Sequence, residues 1–341
     1  MGHASTFVWA DLLASVARAA GGSTLLARNV TDVDDVLTRA AATAGQPYDQ
    51  LAVVQEFQLD RDLAALGIAR PDLSPHARGH VGAVQRLAAA LLDAGAAYEV
   101  DGHVYFRGAH VPARAGLDEQ TALARSQEYG DQDDVPGRES PFDVAVWRPS
   151  AEDHPAWPSP WGWGRPGWHA ECAAMATAAL GHGIDVLVGG SDLAFPHHAY
   201  QQAMVEAASG AAPFARAVLH VGEVRLDGAK MAKSTGNLVL VSDLLTRVRG
   251  PVLRLALLHR PVGEAWDFDE AGLGEAGDLL DRLHAAAGPP SGRVEDPAGR
   301  AAVLDALLDG LDVRAAVATA LETGGDAAGH LLDVLRLSER A

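Results

Sequence analysis

The chain has 341 residues, of which 48% are hydrophobic and 21% are charged, so it can bury the core of one large domain or two ordinary ones. Its formal net charge of −18 opposes general binding to a nucleic-acid backbone and argues against tRNA as the main partner. No apolar run approaches the roughly 18 residues of a membrane span, and no secretory segment opens the chain, so a cytoplasmic protein is expected. Its one cysteine, Cys172, excludes an internal disulfide.

The amino-terminal part of the chain carries helical periodicity, strand-like runs and one hairpin signal. An Asp-Gly pair between two alternating segments favours a tight antiparallel turn. A polar segment at the carboxyl end of a parallel strand is where open α/β sheets form ligand crevices. The expected elements are a helix capped by Ser5-Thr6 and ended by Gly21-Gly22, a strand over 23–29 leading into the polar segment 29–32, helices over about 48–66 and 78–94, and a hairpin over 98–106.

The middle of the chain changes character twice. Residues 112–167 are rich in proline, charge and tryptophan, which is typical of a lid or a substrate loop. Its tryptophans are expected to pack this loop, with sugar stacking as the alternative. The α/β pattern then resumes, and the later chain is helical. The expected elements are a strand over 184–188 ending in Gly189-Gly190, a helix from about Pro196, a strand over 218–221, helices beyond 241 and a break over 288–292.

The order of these elements predicts an α/β protein with a parallel sheet. Residues 1–248 should form the α/β domain, which lacks its first strand and carries an insertion over about 48–166. Residues 249–341 should form a helical region.

The segment Lys230-Met231-Ala232-Lys233-Ser234 suits an ATP pyrophosphate leaving group. Lysine ammonium groups are mobile point charges that can follow the negative charge that builds on the phosphates as a bond to phosphorus breaks. A solvated basic turn is the alternative interpretation of so short a motif.

Cys172 and His197 form a second candidate pair, because a thiolate with an imidazole favours zinc. A buried cysteine and a structural histidine are the alternative. His169 and His198 are expected either to orient neighbouring side chains or to pack. The acidic cluster of Asp32, Asp34 and Asp35 could suggest a metal site, but it fits better as a cap on a helix that begins at the next residue.

Four segments resemble, in order and spacing, the motifs of the cysteinyl-tRNA synthetase family, which includes the mycothiol ligases. They are residues 28–35, 167–172, 189–198 and 230–234. Three further segments, 157–160, 164–167 and 236–241, are more similar to the mycothiol ligase branch. The roughly 70 residues after 270 agree with that branch, since they are too few for an anticodon-reading extension.

The resemblance implies a fold and an activity. The fold would be that of class I aminoacyl-tRNA synthetases, a Rossmann-like (HUP-type) parallel sheet with an inserted subdomain and a C-terminal helical region. The activity would be ATP-dependent ligation of L-cysteine to the amine of glucosaminyl-inositol through cysteinyl-adenylate, in mycothiol biosynthesis. Two alternatives stay open: a cysteinyl-tRNA synthetase core that charges tRNA, and a non-catalytic paralogue with a binding or regulatory role.

The same resemblance assigns residues. Cys172 and His197 match zinc ligands, and Thr31, Trp168 and Asp192 match positions around the substrate cysteine. Asp192 has the alternative role of a helix cap. Lys230, Lys233 and His3 would be catalytic. ATP, accompanied by Mg²⁺, would be bound by Gly2, His3, Gly190, Asp192, Lys230, Met231, Lys233 and Ser234.

The chain departs from the family pattern at three places. Relatives have a strand with a zinc-binding cysteine and then an H-x-G-H or H-x-G-N turn, whereas residues 1–4 match only the end of that turn. Either the recorded start lies too late, or the protein is a degenerate paralogue. Gln201 stands where a glutamate is common, so it offers a zinc ion at best a neutral oxygen. Ala232 stands where a serine is usual, so weaker phosphate handling is expected from the lysine loop.

Overall fold

The computed structural model describes residues 1–33, 35–129, 137–151, 154–231 and 236–338, except for the side chains of residues 35 and 36. Helices and strands are mixed up to residue 267, and the described elements after it are all helices. The helices are α1 Gly2–Ala19, α2 Asp35–Ala44, α3 Tyr48–Ala65, α4 Val81–Asp93, α5 Val111–Arg114, α6 Glu119–Tyr129, α7 Trp168–Leu180, α8 Ala199–Ser209, α9 Val241–Leu244, α10 Gly250–Leu258, α11 Ala271–Ala287, α12 Pro297–Leu308, α13 Val313–Thr323 and α14 Gly325–Val334. The strands are β1 Ala97–Val100, β2 His103–Phe106, β3 Val144–Pro149, β4 Gly164–Pro166, β5 Ile184–Gly190, β6 Ala215–Val221, β7 Val224–Leu226, β8 Ala229–Lys230 and β9 Trp266–Asp267.

The first helix begins earlier than the sequence predicts. Val8, Leu12 and Val16 lie four residues apart and are all buried, which gives α1 the apolar stripe of a core-facing helix. The backbone amide of Ser5 already donates to the carbonyl of Met1, so Ser5 lies inside the first turn and is not the cap. The helix ends before Gly21, as expected.

The segment after α1 forms less strand than the sequence predicts. Residues 23–29 make no continuous strand, and only Ala27 and Val30 form isolated parallel bridges, to Leu73 and His76. These bridges still hold the polar segment beside the start of α4. The two helices predicted over 48–66 and 78–94 are confirmed as α3 and α4.

The predicted hairpin forms two strands of a four-stranded antiparallel sheet, in the order β1-β2-β3-β4. Asp101 and Gly102 both have positive φ, 48° and 76°, which is the geometry of a type I′ turn. The predicted irregular lid over 112–167 is wrong for its described residues, because this stretch supplies α5, α6, β3 and β4. Val146 and Trp147 are fully buried in β3, and their burial stabilises this sheet.

The parallel part of the fold positions the candidate site. Strands β5 and β6 pair in parallel from Ile184–Ala215 to Gly190–Val221, so their carboxyl ends meet at one edge. Strand β7 pairs in parallel with β9 and antiparallel with β8. The end of β8 lies near the edge formed by β5 and β6, because Lys230 contacts Asp192 just after β5. Lys230 is the last residue of β8.

One large hydrophobic cluster includes Val8 and Leu12 of α1 together with Leu253 and Leu280 of the later helices. Residues on both sides of position 248 therefore share one core, and the division there stays a prediction. Within the described ranges, no helix is long and apolar enough to cross a membrane.

Candidate functional site

The glycine pair that ends β5 leaves room for two functional side chains. A Cβ atom on Gly190 would lie 2.4 Å from Asp192 Oδ1, and one on Gly189 would lie 2.4 Å from the ring of His198. Such distances are far below normal contact, so only glycine allows both side chains to approach this backbone. Thr6 Oγ1 lies 3.8 Å from the same point on Gly190, which brings α1 to this place.

Asp192 and Lys230 meet at this edge of the sheet. Lys230 Nζ lies 3.4 Å from Asp192 Oδ2 and 3.7 Å from Glu223 Oε1. It also lies 4.1 Å from the ring centroid of Tyr129, a cation–π contact. The chain's only two lysines are Lys230 and Lys233. A carboxylate and an ammonium thus adjoin the start of α1, which is suited to binding an amino group and phosphates.

The loop after β8 is tied at both ends. Asn237 Nδ2 donates to the carbonyl of Lys230 at 3.0 Å, and the amino terminus at Met1 donates to the carbonyl of Val239 at 2.9 Å. These bonds hold the end of this loop beside the first turn of α1. Gly2 and His3 are exposed in that turn, and Met231 packs half-buried against the large core. The predicted residues Lys233 and Ser234 lie outside the described residues.

A second group of predicted residues surrounds the start of α7. Gly167 precedes this helix, and a Cβ atom there would lie 1.8 Å from the carbonyl oxygen of Ala145, so the backbones approach closely. Trp168 stacks on His197, with 4.1 Å between ring centroids and 24° between planes. The predicted wall residue Trp168 therefore lies against one predicted metal ligand.

His197 is held from both sides. Its Nδ1 lies 2.8 Å from His169 Nδ1, and its Nε2 lies 2.6 Å from the side-chain amide of Gln201. The amide donates to Nε2, so His197 donates from Nδ1 to His169. Burial lowers the pKa of His169 to about 3 and that of His197 well below its usual value, so both imidazoles are neutral near pH 7. His169 also stacks on Tyr200, and thus it both orients a neighbour and packs.

His198 links the two groups of residues. Its ring covers Gly189, and its Nδ1 lies 3.0 Å from Nε2 of His220 on β6. Burial, with a contribution from His220, lowers the pKa of His198 to about 3. Burial also lowers the pKa of His220, whereas the charge of Asp192 opposes this shift. A row of neutral imidazoles therefore runs from the start of α7 toward Asp192.

The described residues do not by themselves form a zinc site. Asn29 Nδ2 donates to Cys172 Sγ at 3.1 Å, and both nitrogens of His197 have hydrogen-bond partners. No group of three or more His, Cys, Asp or Glu within the described part could hold a metal ion. Catalytic zinc usually has three protein ligands, whereas Cys172 and His197 are only two, and the neutral Gln201 amide already donates to His197 Nε2.

The polar segment before α2 contacts α7 through Asn29. Thr31 is half-buried two residues after Asn29, so it lies near the Cys172 end of the site. Asp32 Oδ1 accepts from the backbone amide of Arg78, so this carboxylate fixes the turn before α4 and does not cap a helix from Val36. Of the same cluster, Asp34 and the side chain of Asp35 lie outside the described residues.

Among the residues that contact the predicted site residues, the sequence predicted no role for Asn29, Tyr129, His220 and Glu223. Two of them carried a signal, since Asn29 lies in a quoted motif and His220 lies in a predicted strand near its carboxyl end. Tyr129 and Glu223 carried none, because Tyr129 reaches Lys230 from the distant helix α6 and Glu223 reaches it through the pairing of β7 with β8.

The comparison with known proteins decides the family. The family described as tRNA synthetases class I (C) catalytic domain matches residues 1–278. The chain belongs to the class I (C) tRNA synthetase family. Class I synthetases use ATP.

The relatives of this class I (C) chain include two kinds of ligase. A Parafrankia sp. (strain EAN1pec) protein named L-cysteine:1D-myo-inositol 2-amino-2-deoxy-alpha-D-glucopyranoside ligase is 43% identical over 323 residues, 93% of this chain and 72% of that protein. The protein of the same name from Thermobifida fusca (strain YX) is 40% identical over 339 residues, 96% of this chain and 80% of that protein. A cysteine–tRNA ligase of Xanthomonas euvesicatoria pv. vesicatoria (strain 85-10) is 40% identical over 289 residues, 83% of this chain and 60% of that protein.

Solved class I structures agree on the fold. Mycobacterium tuberculosis methionyl-tRNA synthetase bound by methionyl-adenylate aligns with a TM-score of 0.65 at 18% identity, covering 98% of this chain and 80% of that one. A ternary complex of Agrobacterium radiobacter K84 LeuRS aligns with a TM-score of 0.60 at 12% identity, covering 98% and 80%. The predicted class I fold is thus confirmed, while the roles of individual residues stay predictions.

Proposed function

We propose that this chain activates L-cysteine with ATP and joins it to the amine of glucosaminyl-inositol. The observation that carries the proposal is 43% identity, along 93% of the chain, to a ligase named for these two substrates. We place the reaction in the cytoplasm, where ATP and a reduced thiol are both available. The enzyme would be an AMP-forming carbon–nitrogen ligase.

In the first step, a carboxylate oxygen of cysteine attacks the α-phosphorus of ATP, and the bond from that phosphorus to the pyrophosphate oxygen breaks. Asp192 would pair with the cysteine ammonium, while Thr31 and Trp168 would border the rest of the amino acid. Lys230 and Lys233 would stabilise the pyrophosphate that leaves with Mg²⁺, and Met231 and Ser234 would lie beside it.

The start of α1 would serve the triphosphate in the same step. Gly2 and His3 lie in its exposed first turn, where backbone N–H groups and the positive end of the helix dipole favour anions. Gly190 leaves space beside Asp192, because any side chain there would displace that carboxylate.

In the second step, the acceptor amine nitrogen attacks the carbonyl carbon of cysteinyl-adenylate. The carbon–oxygen bond to AMP breaks, the nitrogen loses a proton, and an amide forms. We assign no step to zinc, which the resemblance implies, because the described residues supply too few ligands. Cys172 and His197 keep the predicted role of partial ligands.

A second candidate acceptor is tRNA, since a cysteine–tRNA ligase is 40% identical over 83% of the chain. The first step would be the same, and only the acceptor would differ. The formal net charge of −18 favours the small acceptor, because tRNA binding normally needs a basic surface. A non-catalytic paralogue would bind ligands without forming cysteinyl-adenylate.

The first step is tested by cysteine-dependent exchange of labelled pyrophosphate into ATP. Exchange with cysteine and none with serine supports activation of cysteine, whereas no exchange with either contradicts the proposal. Adding glucosaminyl-inositol or tRNA then separates the acceptors. Formation of the cysteine amide supports the small acceptor, and formation of cysteinyl-tRNA overturns it.

A further inference from the structure

Lys230 is held by three groups: Asp192 and Tyr129 from distant segments, and Glu223 from its own hairpin. Its ammonium lies between the carboxylates of Asp192 and Glu223 and over the ring of Tyr129. The phenol of Tyr129 donates to Glu223 Oε1 at 3.3 Å, so these two residues also support each other. The lysine that the proposed reaction needs at the phosphates thus has a defined resting place.

One of the three groups has a second proposed partner. Asp192 is the carboxylate that would receive the ammonium of the substrate cysteine. Two ammonium groups beside one carboxylate repel each other and share its charge, so they compete for it. Binding of cysteine therefore weakens the hold on Lys230.

Glu223 keeps a counter-ion when Lys230 leaves. Arg225 Nε lies 3.8 Å from Glu223 Oε2, and the phenol of Tyr129 stays on the other oxygen. No uncompensated carboxylate is left behind, which keeps the release of Lys230 energetically small.

We propose that Tyr129 and Glu223 are positioning residues that hold Lys230 at Asp192 until the cysteine ammonium displaces it, so that cysteine binding prepares the site for ATP. The inference rests on the proposed function, because it needs both ligands at this site. By linkage, cysteine must then tighten ATP binding, and ATP must tighten cysteine binding by the same factor. The expected factor is about two- to fivefold, since partly exposed ion pairs contribute little.

The coupling is measured with α,β-methylene-ATP, whose α–β bridge cannot be cleaved. Its Kd is determined alone, with cysteine, and with 3-mercaptopropionate, which keeps the thiol and carboxylate but lacks the amine. Cysteine should tighten binding of the nucleotide, whereas 3-mercaptopropionate should leave its Kd unchanged. Equal effects of the two acids overturn the inference.

Variants test whether the coupling depends on the contacts that hold Lys230 or only on the net charge near the site. Glu223→Gln and Tyr129→Leu should each tighten nucleotide binding without cysteine and reduce the cysteine effect, because Lys230 is then held less firmly at Asp192. Asp227→Asn is the matched control, because Asp227 is exposed on the β7–β8 turn and Asn also tolerates its φ of 53°. It removes the same charge from the same hairpin and should keep the full coupling, as should Glu223→Asp.

The two lysines allow the displacement itself to be observed. Reductive ¹³C-methylation keeps the positive charge and labels only Lys230, Lys233 and the amino terminus, and Lys233→Arg assigns the signals. The ring of Tyr129 should shift the Lys230 methyl resonance upfield, and cysteine should move it back while 3-mercaptopropionate should not. A resonance that cysteine leaves in place contradicts the inference.

Different results would contradict the proposed function and the proposed coupling between cysteine and ATP binding. If cysteine supports no pyrophosphate exchange and neither ligand binds, the proposed function fails and this inference falls with it. If both ligands bind but neither alters the affinity of the other, only the coupling is overturned.

Discussion

The guanidinium of Arg254 lies 2.5 Å from the carboxylate of Asp11, and both side chains are almost fully buried. Arg254 also donates to the carbonyls of Leu66 and Leu335, so it joins α1, the end of α3 and the end of α14. Burial lowers the pKa of Arg254, and the charge of Asp11 opposes that shift. The helix that starts the proposed nucleotide site is thereby anchored to the last helices of the chain.

Arg254→Met should lower the free energy of unfolding by about 3–5 kcal/mol, because Asp11 is left buried without its main counter-ion. Urea denaturation followed by circular dichroism measures this change. Arg216→Gln is the control, since the pair of Arg216 with Asp185 is 79% and 86% exposed and should contribute very little. Equal stability of the two variants would show that the buried pair stabilises the fold no more than the exposed pair does.

Gly190→Ala should weaken cysteine binding at least about tenfold, since a hydrogen bond to a charged group contributes about 1.5–3 kcal/mol. The added Cβ would lie 2.4 Å from Asp192 Oδ1 and would push this carboxylate away. Gly183→Ala is the matched control, because no atom lies within 4 Å of a Cβ at Gly183, just before β5. Cysteine titrations of both variants test this, and unchanged affinity in Gly190→Ala would remove Asp192 from the ammonium site.

Lys230→Met should lower the rate of cysteine-dependent pyrophosphate exchange by about 10²-fold or more, as expected for loss of one charged group at the leaving phosphates. Cysteine affinity should not weaken, because the variant also frees Asp192 from its contact with Lys230. Exchange kinetics separate kcat from KM. A large rise in KM for cysteine with unchanged kcat would contradict this role of Lys230.

The His76–Glu56 pair should make stability depend on pH. Burial lowers the pKa of His76, but the hydrogen bond and charge of Glu56, with the Ser74 carbonyl and the charge of Asp32, together raise that pKa above its usual value. The pair therefore stabilises the fold below about pH 6.5, the usual histidine pKa. This stabilisation is lost as pH rises through the raised value.

Glu56→Gln should accordingly lower the melting temperature more at pH 6 than at pH 8. Because both side chains are partly exposed, the loss of unfolding free energy at pH 6 should exceed the loss at pH 8 by less than about 1 kcal/mol. Thermal denaturation at the two pH values measures it. The same loss at both values would mean that Glu56 does not interact with a protonated His76.

The sequence predicted the elements that depend on near neighbours. The helices α3 and α4 and the Asp101-Gly102 hairpin follow from spacing and turn chemistry within a few residues, and the structure confirms them. The prediction of an irregular lid over 112–167 was wrong. Its proline and charge content suggested a loop, whereas pairing with β2 makes part of it strand β3. The local sequence pattern does not specify which distant segments pair as strands.

The sequence by itself determined the family and the types of chemistry, because four ordered motifs brought a lysine loop, a thiol and imidazoles into one protein. Only the tertiary structure decided which of these groups meet: Lys230 with Asp192, and His197 with Trp168. It also supplied Tyr129 and Glu223, which have no motif of their own. The physical reason is that such contacts depend on how separate elements pack, and packing fixes distances that spacing along the chain leaves open.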